Sequence, residues 1–327
     1  MNLSTIPVVR LVIQQLLNYG VHHIVVAPGS RNAPITVGLT THKAFRTYSI
    51  VDERSAGFFA IGLSQQLDQP VAVLCTSGSA LLNIYPAVSE AYYSRYPIVV
   101  ISADRPTYQI DIGNGQTIRQ SGVFSKHLIS ETSLLQDITH NQSAIIESNT
   151  RQLIDVQSTL QEVESQQKII ERTNKKYLQN VLYEMLSQQG PVHVNIPLEE
   201  PLYDFHNQID FEVEQVKQPK NPQPKILKSI LSKWNESKRI LVLVGTLSPD
   251  ALDAKSISVL AYDPRVVVLH EITSNLHHHN FIAHIDRVIL PIEKQKNSQE
   301  IFQSLAPDLI ITMGGMVCLL YTSPSPR

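Results

Sequence analysis

Apolar residues along the chain predict short strands that alternate with helices. Residues 5–19 space their apolar side chains as an amphipathic helix does, and Gly20 follows as a C-terminal stop. Short, continuous apolar runs come next, separated by helix-length segments: 22–27, 48–53, 70–76, 97–103 and 190–197. Continuous rather than alternating hydrophobicity is typical of strands buried on both faces of a parallel sheet that helices cover. The first part of the chain is therefore predicted to be an α/β domain.

The remaining pattern predicts a second, smaller α/β unit. Residues 141–189 contain no glycine or proline and predict one or two helices that return the chain to the sheet. A polar, proline-bearing stretch over 205–225 predicts a linker. Four more apolar runs predict strands: 239–245, 266–271, 287–291 and 307–315. We therefore expect a first domain over 1–204 and an incomplete second domain over 226–317.

The last ten residues, CLLYTSPSPR, do not continue this pattern. A helix would be expected after the strand that ends at the glycine pair 314–315. The string matches what a common transposase library adapter would encode. Residues 318–327 are therefore predicted to be a foreign tail that begins at Cys318.

Composition and charge narrow the class of protein. The chain has 327 residues, 43% hydrophobic and 17% charged, as soluble globular proteins do. A net charge of −2 offers no basic field for nucleic acid or an anionic membrane. With no 18-residue apolar run and no signal peptide, we expect a cytoplasmic protein without membrane insertion. Cys75 and Cys318 form neither a disulfide framework nor a zinc-type spacing, and Cys75 is predicted to be buried.

A polar turn follows the first predicted strand of the sheet. In APGSRNAP, Gly29, Ser30 and Arg31 could present backbone N–H groups, a hydroxyl and a guanidinium to an anion. The turn predicts carboxylate or phosphate binding. An ordinary strand-to-helix turn with a surface arginine is an equally good interpretation of this motif alone.

Two further turns lie at the ends of predicted strands. Glu53 follows Asp52 at the carboxyl end of its strand, where ligands bind in open α/β sheets. Taken alone, such an acidic pair more often caps a helix and offsets its dipole. In the TSG turn, Ser77 and Gly78 offer hydroxyl and N–H donors, but the motif is neither a nucleophile elbow nor a Walker loop.

A long, glycine-rich polar loop follows the strand at 97–103. It carries Arg105, Gln116, Arg119 and Gln120, a set that could clamp a dianionic substrate. Solvated side chains on a flexible loop are the competing interpretation for each of them. The triple histidine at 277–279 has no spaced carboxylate or second cluster beside it, so we predict a surface segment and no metal ligands in this chain.

Several of these motifs recur together in one known family. In order, they are APGSRNAP, DERSAGFFAIGL, PVAVLCTSGSALLNIYPAVSEA, SADRP, GNGQTIRQSGVFSKH and VHVNIPLEEPLY. Over residues 1 to about 205, the chain resembles the N-terminal half of the 2-succinyl-5-enolpyruvyl-6-hydroxy-3-cyclohexene-1-carboxylate synthases (the MenD family). These are thiamine-diphosphate enzymes of menaquinone biosynthesis.

The resemblance implies a fold and an assembly. The family has pyrimidine-binding, central and diphosphate-binding α/β domains, and its dimers or tetramers share each active site between two chains. This chain would hold the pyrimidine domain, with its parallel sheet, and an incomplete central domain. The Gly-Asp-Gly…Asn motif that ligates Mg²⁺ (or Mn²⁺) in the diphosphate domain does not occur here. We therefore expect thiamine diphosphate and its metal to be held mainly by a missing domain.

The resemblance also implies roles for individual residues. Glu53 would hydrogen-bond N1′ of the cofactor's aminopyrimidine, as an acid–base group relayed through the cofactor. The TSG turn would place Ser77 and Gly78 at the cofactor. Substrate carboxylates would be held by a set of polar residues: Ser30, Arg31, Arg105 and Gln116, with Arg119 a weaker candidate. One departure is that Asn114-Gly115-Gln116 replaces the Ala-Asn-Gln of many relatives.

The implied reaction is the decarboxylation of 2-oxoglutarate and 1,4-addition of the succinyl unit to isochorismate. One alternative is another thiamine-diphosphate carboligase, such as acetolactate synthase, which would use pyruvate. The other is a two-domain protein that binds a ligand or a second chain without catalysis. For the 327-residue chain alone we expect no turnover.

Overall fold

The protein is described from a computed structural model, in which the chain divides into two compact units, Met1–Lys220 and Asn221–Arg327. The structure describes residues 2–147, 153–154, 158–207, 214, 216, 227–283 and 285–316. The predicted foreign tail and most of the predicted linker lie outside these residues. Among the described residues, none of the helices is both long enough and apolar enough to span a bilayer.

The first unit is built on a parallel sheet. Its strands are β1 (Asn2–Ser4), β2 (His23–Val26), β3 (Arg46–Ser49), β4 (Val71–Cys75), β5 (Ile98–Asp104), β6 (Ser130–Ser133), β7 (Val192–Pro197) and β8 (Phe205–Asn207). Six of them lie parallel in the order β3-β2-β4-β5-β7-β6, and β1 pairs antiparallel with β8. The α/β class with a parallel sheet is confirmed, as are the strands predicted at 22–27, 70–76, 97–103 and 190–197.

Helices cover both faces of this sheet. They are α1 (Pro7–Asn18), α2 (Ala33–Thr41), α3 (Glu53–Leu67), α4 (Ser79–Asn83), α5 (Tyr85–Ser94), α6 (Gln142–Glu147) and α7 (Leu160–Gln188). Leu74 and Ile101 belong to a buried cluster with α1, α2 and α7, whereas Val73 and Val100 belong to one with α3, α4 and α5. Because successive strand residues face opposite sides, these continuous apolar runs supply both cores.

The helix predicted at 5–19 is confirmed as α1. Gly20 has φ +73°, a conformation that glycine adopts without strain, and it ends the helix. The amide of Val8, in the first turn, donates to the buried Asp137 Oδ2 at 2.8 Å. Burial raises the pKa of Asp137 to about 6, although this hydrogen bond and one from Gln167 favour the charged form.

Four strands of the first unit differ from the prediction: β1, β3, β6 and β8. No strand was predicted at β1, and β8 lies at the start of the predicted linker, where it pairs with β1. The run at 48–53 predicted a strand that reaches Glu53, but β3 ends at Ser49. The chain leaves the sheet there because Asp52 caps α3, accepting from the Ser55 amide at 2.7 Å. The strand β6 was not predicted, since its sequence SETS carries no apolar signal and its place depends on pairing with β7.

The second unit is a smaller parallel arrangement. Its elements are α8 (Leu227–Glu236), β9 (Ile240–Val244), α9 (Ala254–Tyr262), β10 (Val266–His270), α10 (Ile285–Glu293), α11 (Ser298–Leu305) and β11 (Leu309–Met313). The strands lie in the order β10-β9-β11 and confirm the runs at 239–245, 266–271 and 307–315. Its core contains Val242, Val268 and Phe281.

The strand predicted at 287–291 is wrong, because these residues lie within α10. A five-residue apolar run fits a strand or one side of a helix, and periodicity alone does not separate them. Val288 and Leu290 remain exposed, as they would not in a strand covered on both faces.

Candidate active site

A cavity of about 480 Å³ lies in the first unit beside the turns that follow β2, β4 and β5. The three strands are neighbours in the sheet, so their carboxyl ends bring distant sequence motifs together. Five predicted residues line the cavity: Ser30, Arg31, Ser77, Arg105 and Gln116. Thr76 and residues 200–203 complete the described lining.

Two glycines allow these turns to approach closely. A Cβ on Gly29 would lie 2.5 Å from Thr76 Cβ, and one on Gly78 would lie 2.8 Å from the carbonyl oxygen of Gln116. Gly78 also has φ +81°, which strains any residue with a side chain. The two turns and the loop that carries Gln116 therefore meet at distances that only glycine permits.

Arg31 is a buried cation on the cavity wall. Its Nη1 donates to the Leu198 carbonyl oxygen at 3.1 Å and its Nη2 donates to Glu200 Oε1 at 2.9 Å. Burial and the neighbouring Arg105 lower the pKa of Arg31, and Glu200 opposes that shift. Negative charge in the cavity therefore stabilises the guanidinium.

Arg105 adds a second guanidinium directly after β5. Its Nη2 donates to the Gly115 carbonyl oxygen at 3.0 Å. Its Nε is buried and has no hydrogen-bond partner among the described residues. Two guanidinium groups with an unused donor form a site suited to a carboxylate or another anion.

The polar loop does not bring all its candidate residues to the cavity. Gln116 lines it, with a left-handed φ of +54°. Arg119 does not, because its Nε pairs with Asp111 Oδ2 at 2.8 Å on the surface and its side chain is 81% exposed.

Gln120 has a role that sequence reasoning missed. Its side chain is buried, with Oε1 accepting from the Gly78 amide at 2.8 Å and Nε2 donating to Asn195 Oδ1 at 2.7 Å. Asn195 Nδ2 in turn donates to Asp104 Oδ2 at 2.8 Å. Gln120 therefore ties the TSG turn to β7 and β5. The only sequence signal was its place in the IRQ motif, since its partners lie 42 and 75 residues away.

The same buried network continues away from the cavity. Ser102 Oγ lies 2.7 Å from His193 Nε2, and His193 Nδ1 lies 2.9 Å from Glu131 Oε1. Burial by itself would raise the pKa of Glu131, but hydrogen bonds with His193 and from the Gly122 amide hold it below its ordinary value. These contacts fix β5, β6 and β7 relative to one another.

Glu53 stands apart from the cavity, at the first position of α3. One carboxylate oxygen accepts from Asn83 Nδ2 at 3.1 Å, and the other has no hydrogen-bond partner among the described residues. Val51 and Leu82, which flank the pair in sequence, are exposed. A free carboxylate oxygen fits a hydrogen bond to a ring nitrogen of a heteroaromatic cofactor.

Other candidate groups play no part in this site. Cys75 is buried in β4, as predicted, and burial raises the pKa of its thiol. His277 and His279 are exposed. The described residues contain no cluster of three His, Cys, Asp or Glu side chains able to hold a metal ion.

Comparisons with known proteins identify a similar domain and similar full-length proteins. The family described as "Thiamine pyrophosphate enzyme, N-terminal TPP binding domain" matches residues 6–128. A 2-succinyl-5-enolpyruvyl-6-hydroxy-3-cyclohexene-1-carboxylate synthase from Christiangramia forsetii is 43% identical over 97% of this chain and 53% of its own length. The Flavobacterium psychrophilum protein of that name is 42% identical over 95% and 50%. The chain spans about half the length of these relatives.

A solved structure agrees on the fold. Benzoylformate decarboxylase from Polynucleobacter necessarius matches with a TM-score of 0.59 and 17% identity, over 94% of this chain and 50% of that one. At this identity the match concerns the fold alone. Residues 6–128 are therefore similar to the N-terminal domain of thiamine pyrophosphate enzymes, and the chain as a whole is similar to about half of each synthase.

Proposed function

We propose that this chain provides the pyrimidine-binding part of a 2-succinyl-5-enolpyruvyl-6-hydroxy-3-cyclohexene-1-carboxylate synthase, a transferase of menaquinone biosynthesis. The whole protein would decarboxylate 2-oxoglutarate and add the succinyl unit to isochorismate. Its relatives at 42–43% identity carry that name, which supports the assignment.

The cavity is the observation that carries the proposal. The guanidinium groups of Arg31 and Arg105 line the same cavity as the hydroxyls of Ser30 and Ser77 and the side-chain amide of Gln116. Both proposed substrates are dianions, so paired guanidinium groups suit their carboxylates better than they suit pyruvate, a monoanion. Arg119 is not proposed to contact substrate in this arrangement, because it pairs with Asp111 on the surface.

Glu53 is proposed to act as the acid–base residue. Its free carboxylate oxygen would hydrogen-bond N1′ of the aminopyrimidine and hold a proton there, while Asn83 orients the other oxygen. Thiamine diphosphate, when bound, would supply a thiazolium carbon able to take up the 2-oxoacid. Ser77 and Gly78, on the turn after β4, would support the cofactor.

The proposal also includes a metal, a diphosphate site and an assembly of several chains. Mg²⁺ or Mn²⁺ and the diphosphate would be held mainly by residues that this chain does not contain. The active protein would be a dimer or tetramer of identical chains that share active sites, in the cytoplasm. The 327-residue chain alone is expected to show neither turnover nor Mg²⁺-dependent binding of thiamine diphosphate.

The test uses the full-length protein, expressed after the gene has been sequenced past codon 317. We expect steady-state turnover with 2-oxoglutarate plus isochorismate and little with pyruvate alone. Glu53→Gln should lower kcat by about 10²-fold or more, since a positioned acid–base group contributes that much. If the enzyme turned over pyruvate alone but not 2-oxoglutarate plus isochorismate, the proposal would be wrong and an enzyme of the acetolactate-synthase type would be favoured.

A further inference from the structure

The cavity that we propose for substrate carboxylates already contains a carboxylate of the chain itself. Glu200 lines its wall, and its Oε1 accepts from Arg31 Nη2 at 2.9 Å. The two side chains differ greatly in exposure, 6% for Arg31 and 63% for Glu200. The cation of this pair is therefore fixed in the protein, whereas the anion lies at the solvent boundary.

Two hydrogen bonds hold the backbone of Glu200, whereas its exposed side chain is held by the ion pair with Arg31. The Glu200 amide donates to Glu199 Oε1 at 3.0 Å, and Asn141 Nδ2 donates to the Glu200 carbonyl oxygen at 2.6 Å. Glu199 is buried and accepts hydrogen bonds from Tyr108 and Gln136. Rotation of the Glu200 side chain toward water therefore requires no movement of this anchored backbone.

Negative charge stabilises Arg31, and it comes from Glu200, which pairs with the guanidinium directly, and from Glu199. A buried guanidinium that loses its partner is strongly destabilised, and Arg105 beside it adds repulsion. A carboxylate ligand that enters the cavity meets the same Nη2 that Glu200 occupies. At the N–H that Glu200 occupies, it can bind only by replacing Glu200, whose exposed carboxylate is then solvated by water.

We propose that Glu200 is the resident counter-charge of Arg31, is displaced by the carboxylate of a bound ligand, and thereby sets the anion affinity of the cavity. This inference rests on the proposed binding of substrate carboxylates there. Glu200 would be an affinity-determining residue that keeps Arg31 paired when no ligand is bound, at the expense of weaker ligand binding. Arg105, with its unused Nε donor, would hold a second carboxylate.

The test is a calorimetric titration of the 327-residue chain with succinate, a dicarboxylate that cannot react. Glu200→Gln keeps the shape of the side chain and removes the competing charge. We expect its Kd for succinate to be about 3- to 10-fold lower than that of the unmodified chain. Glu164→Gln, at an exposed glutamate of α7, is the charge-matched control and should leave Kd unchanged.

A second measurement distinguishes displacement of Glu200 by succinate from a general destabilisation of the site by the substitution. Without ligand, Glu200→Gln should lower Tm because Arg31 loses its charged partner, and saturating succinate should raise Tm by more than in the unmodified chain. An unchanged or weaker affinity in Glu200→Gln, or no succinate binding by either protein, would overturn the inference. A full-length enzyme that uses pyruvate would contradict the proposed function alone, because the Glu200 effect is measured on succinate binding.

Discussion

The two units differ in how completely their parallel sheets are covered. In the first, β4, β5 and β7 are buried at every position, with helices packed on both faces. In the second, β9 is buried at alternate positions and β11 at none. The described residues of the second unit form one buried cluster, to which Val242 and Val268 contribute, while Val267 and Ile310 remain exposed.

This difference indicates where precise chemistry can be built. The cavity groups follow strands that are fixed by two cores. A buried polar network also joins the turn after β4 to β5 and β7. Such support holds Arg31 and Arg105 close together despite their like charge. A sheet with one covered face offers less of this support, and the cavity lies in the unit with two.

The largest expected effect comes from removing core volume in each sheet. Leu74→Ala, at a fully buried position of β4, should lower the free energy of unfolding by about 2–5 kcal/mol. Ile310→Ala in β11, where the side chain is 55% exposed, should change it by about 0.5 kcal/mol or less. Urea unfolding followed by far-UV circular dichroism measures both. Equal losses of unfolding free energy in the two variants would contradict the contrast between the two sheets.

A pH titration should distinguish two carboxylates, Asp137 of the first unit and Asp308 of the second, by the sign of their effect on stability. The folded protein keeps a proton on Asp137 up to about pH 6, whereas the ordinary value for the residue is 3.8. Stability from this group is therefore greatest below about pH 4 and falls as pH rises to 6, by about 3 kcal/mol in total. Asp137→Asn should abolish this fall when urea unfolding is compared across that range.

Asp308, a carboxylate of the second unit, should affect stability in the opposite way. Asp308 accepts from the amides of Lys238 and Arg239, each at 2.9 Å, and these hydrogen bonds lower its pKa. Its contribution is present above pH 4 and is lost as the pH falls further. If Asp308→Asn produced the same pH profile as Asp137→Asn, the contrast between these two carboxylates would be wrong.

A smaller effect is expected at the buried network under the TSG turn. Gln120→Leu leaves the Gly78 amide and Asn195 Oδ1 without their partner, which should cost about 1–3 kcal/mol. Gln65→Leu, at an exposed position of α3, is the matched control and should cost about 0.5 kcal/mol or less. Thermal unfolding of the two variants gives the comparison. Equal stability would show that Gln120 does not hold the turn.

Buried strands were predictable because burial on both faces requires a continuous apolar run in the local sequence. The apolar runs at β2, β4, β5 and β7 predict these strands without information from the rest of the chain. The polar strand β6 leaves no such record, since β7 places it by pairing. The error at α10 has a related cause, because a short apolar run does not specify which secondary structure buries it.

The site was predictable to a similar extent. Turns after neighbouring strands indicated Ser30, Arg31, Ser77 and Arg105, because parallel strands end at one edge. The position of Glu200 against Arg31 depends on a contact across 169 residues. Nothing local to the Glu-Glu-Pro sequence distinguishes it from a solvated acidic pair.

The most direct test of the cavity as a carboxylate site compares two arginines of one loop. Arg105 lines the cavity, and Arg119 pairs with Asp111 on the surface. In calorimetric titrations with 2-oxoglutarate, Arg105→Met should raise Kd by about 10-fold or more, since charge-assisted contacts to a carboxylate contribute about 1.5–3 kcal/mol. Arg119→Met should leave Kd within about twofold. Equal affinity for 2-oxoglutarate in the two variants, or a greater loss of affinity in Arg119→Met, would contradict the assignment of the cavity as the carboxylate site.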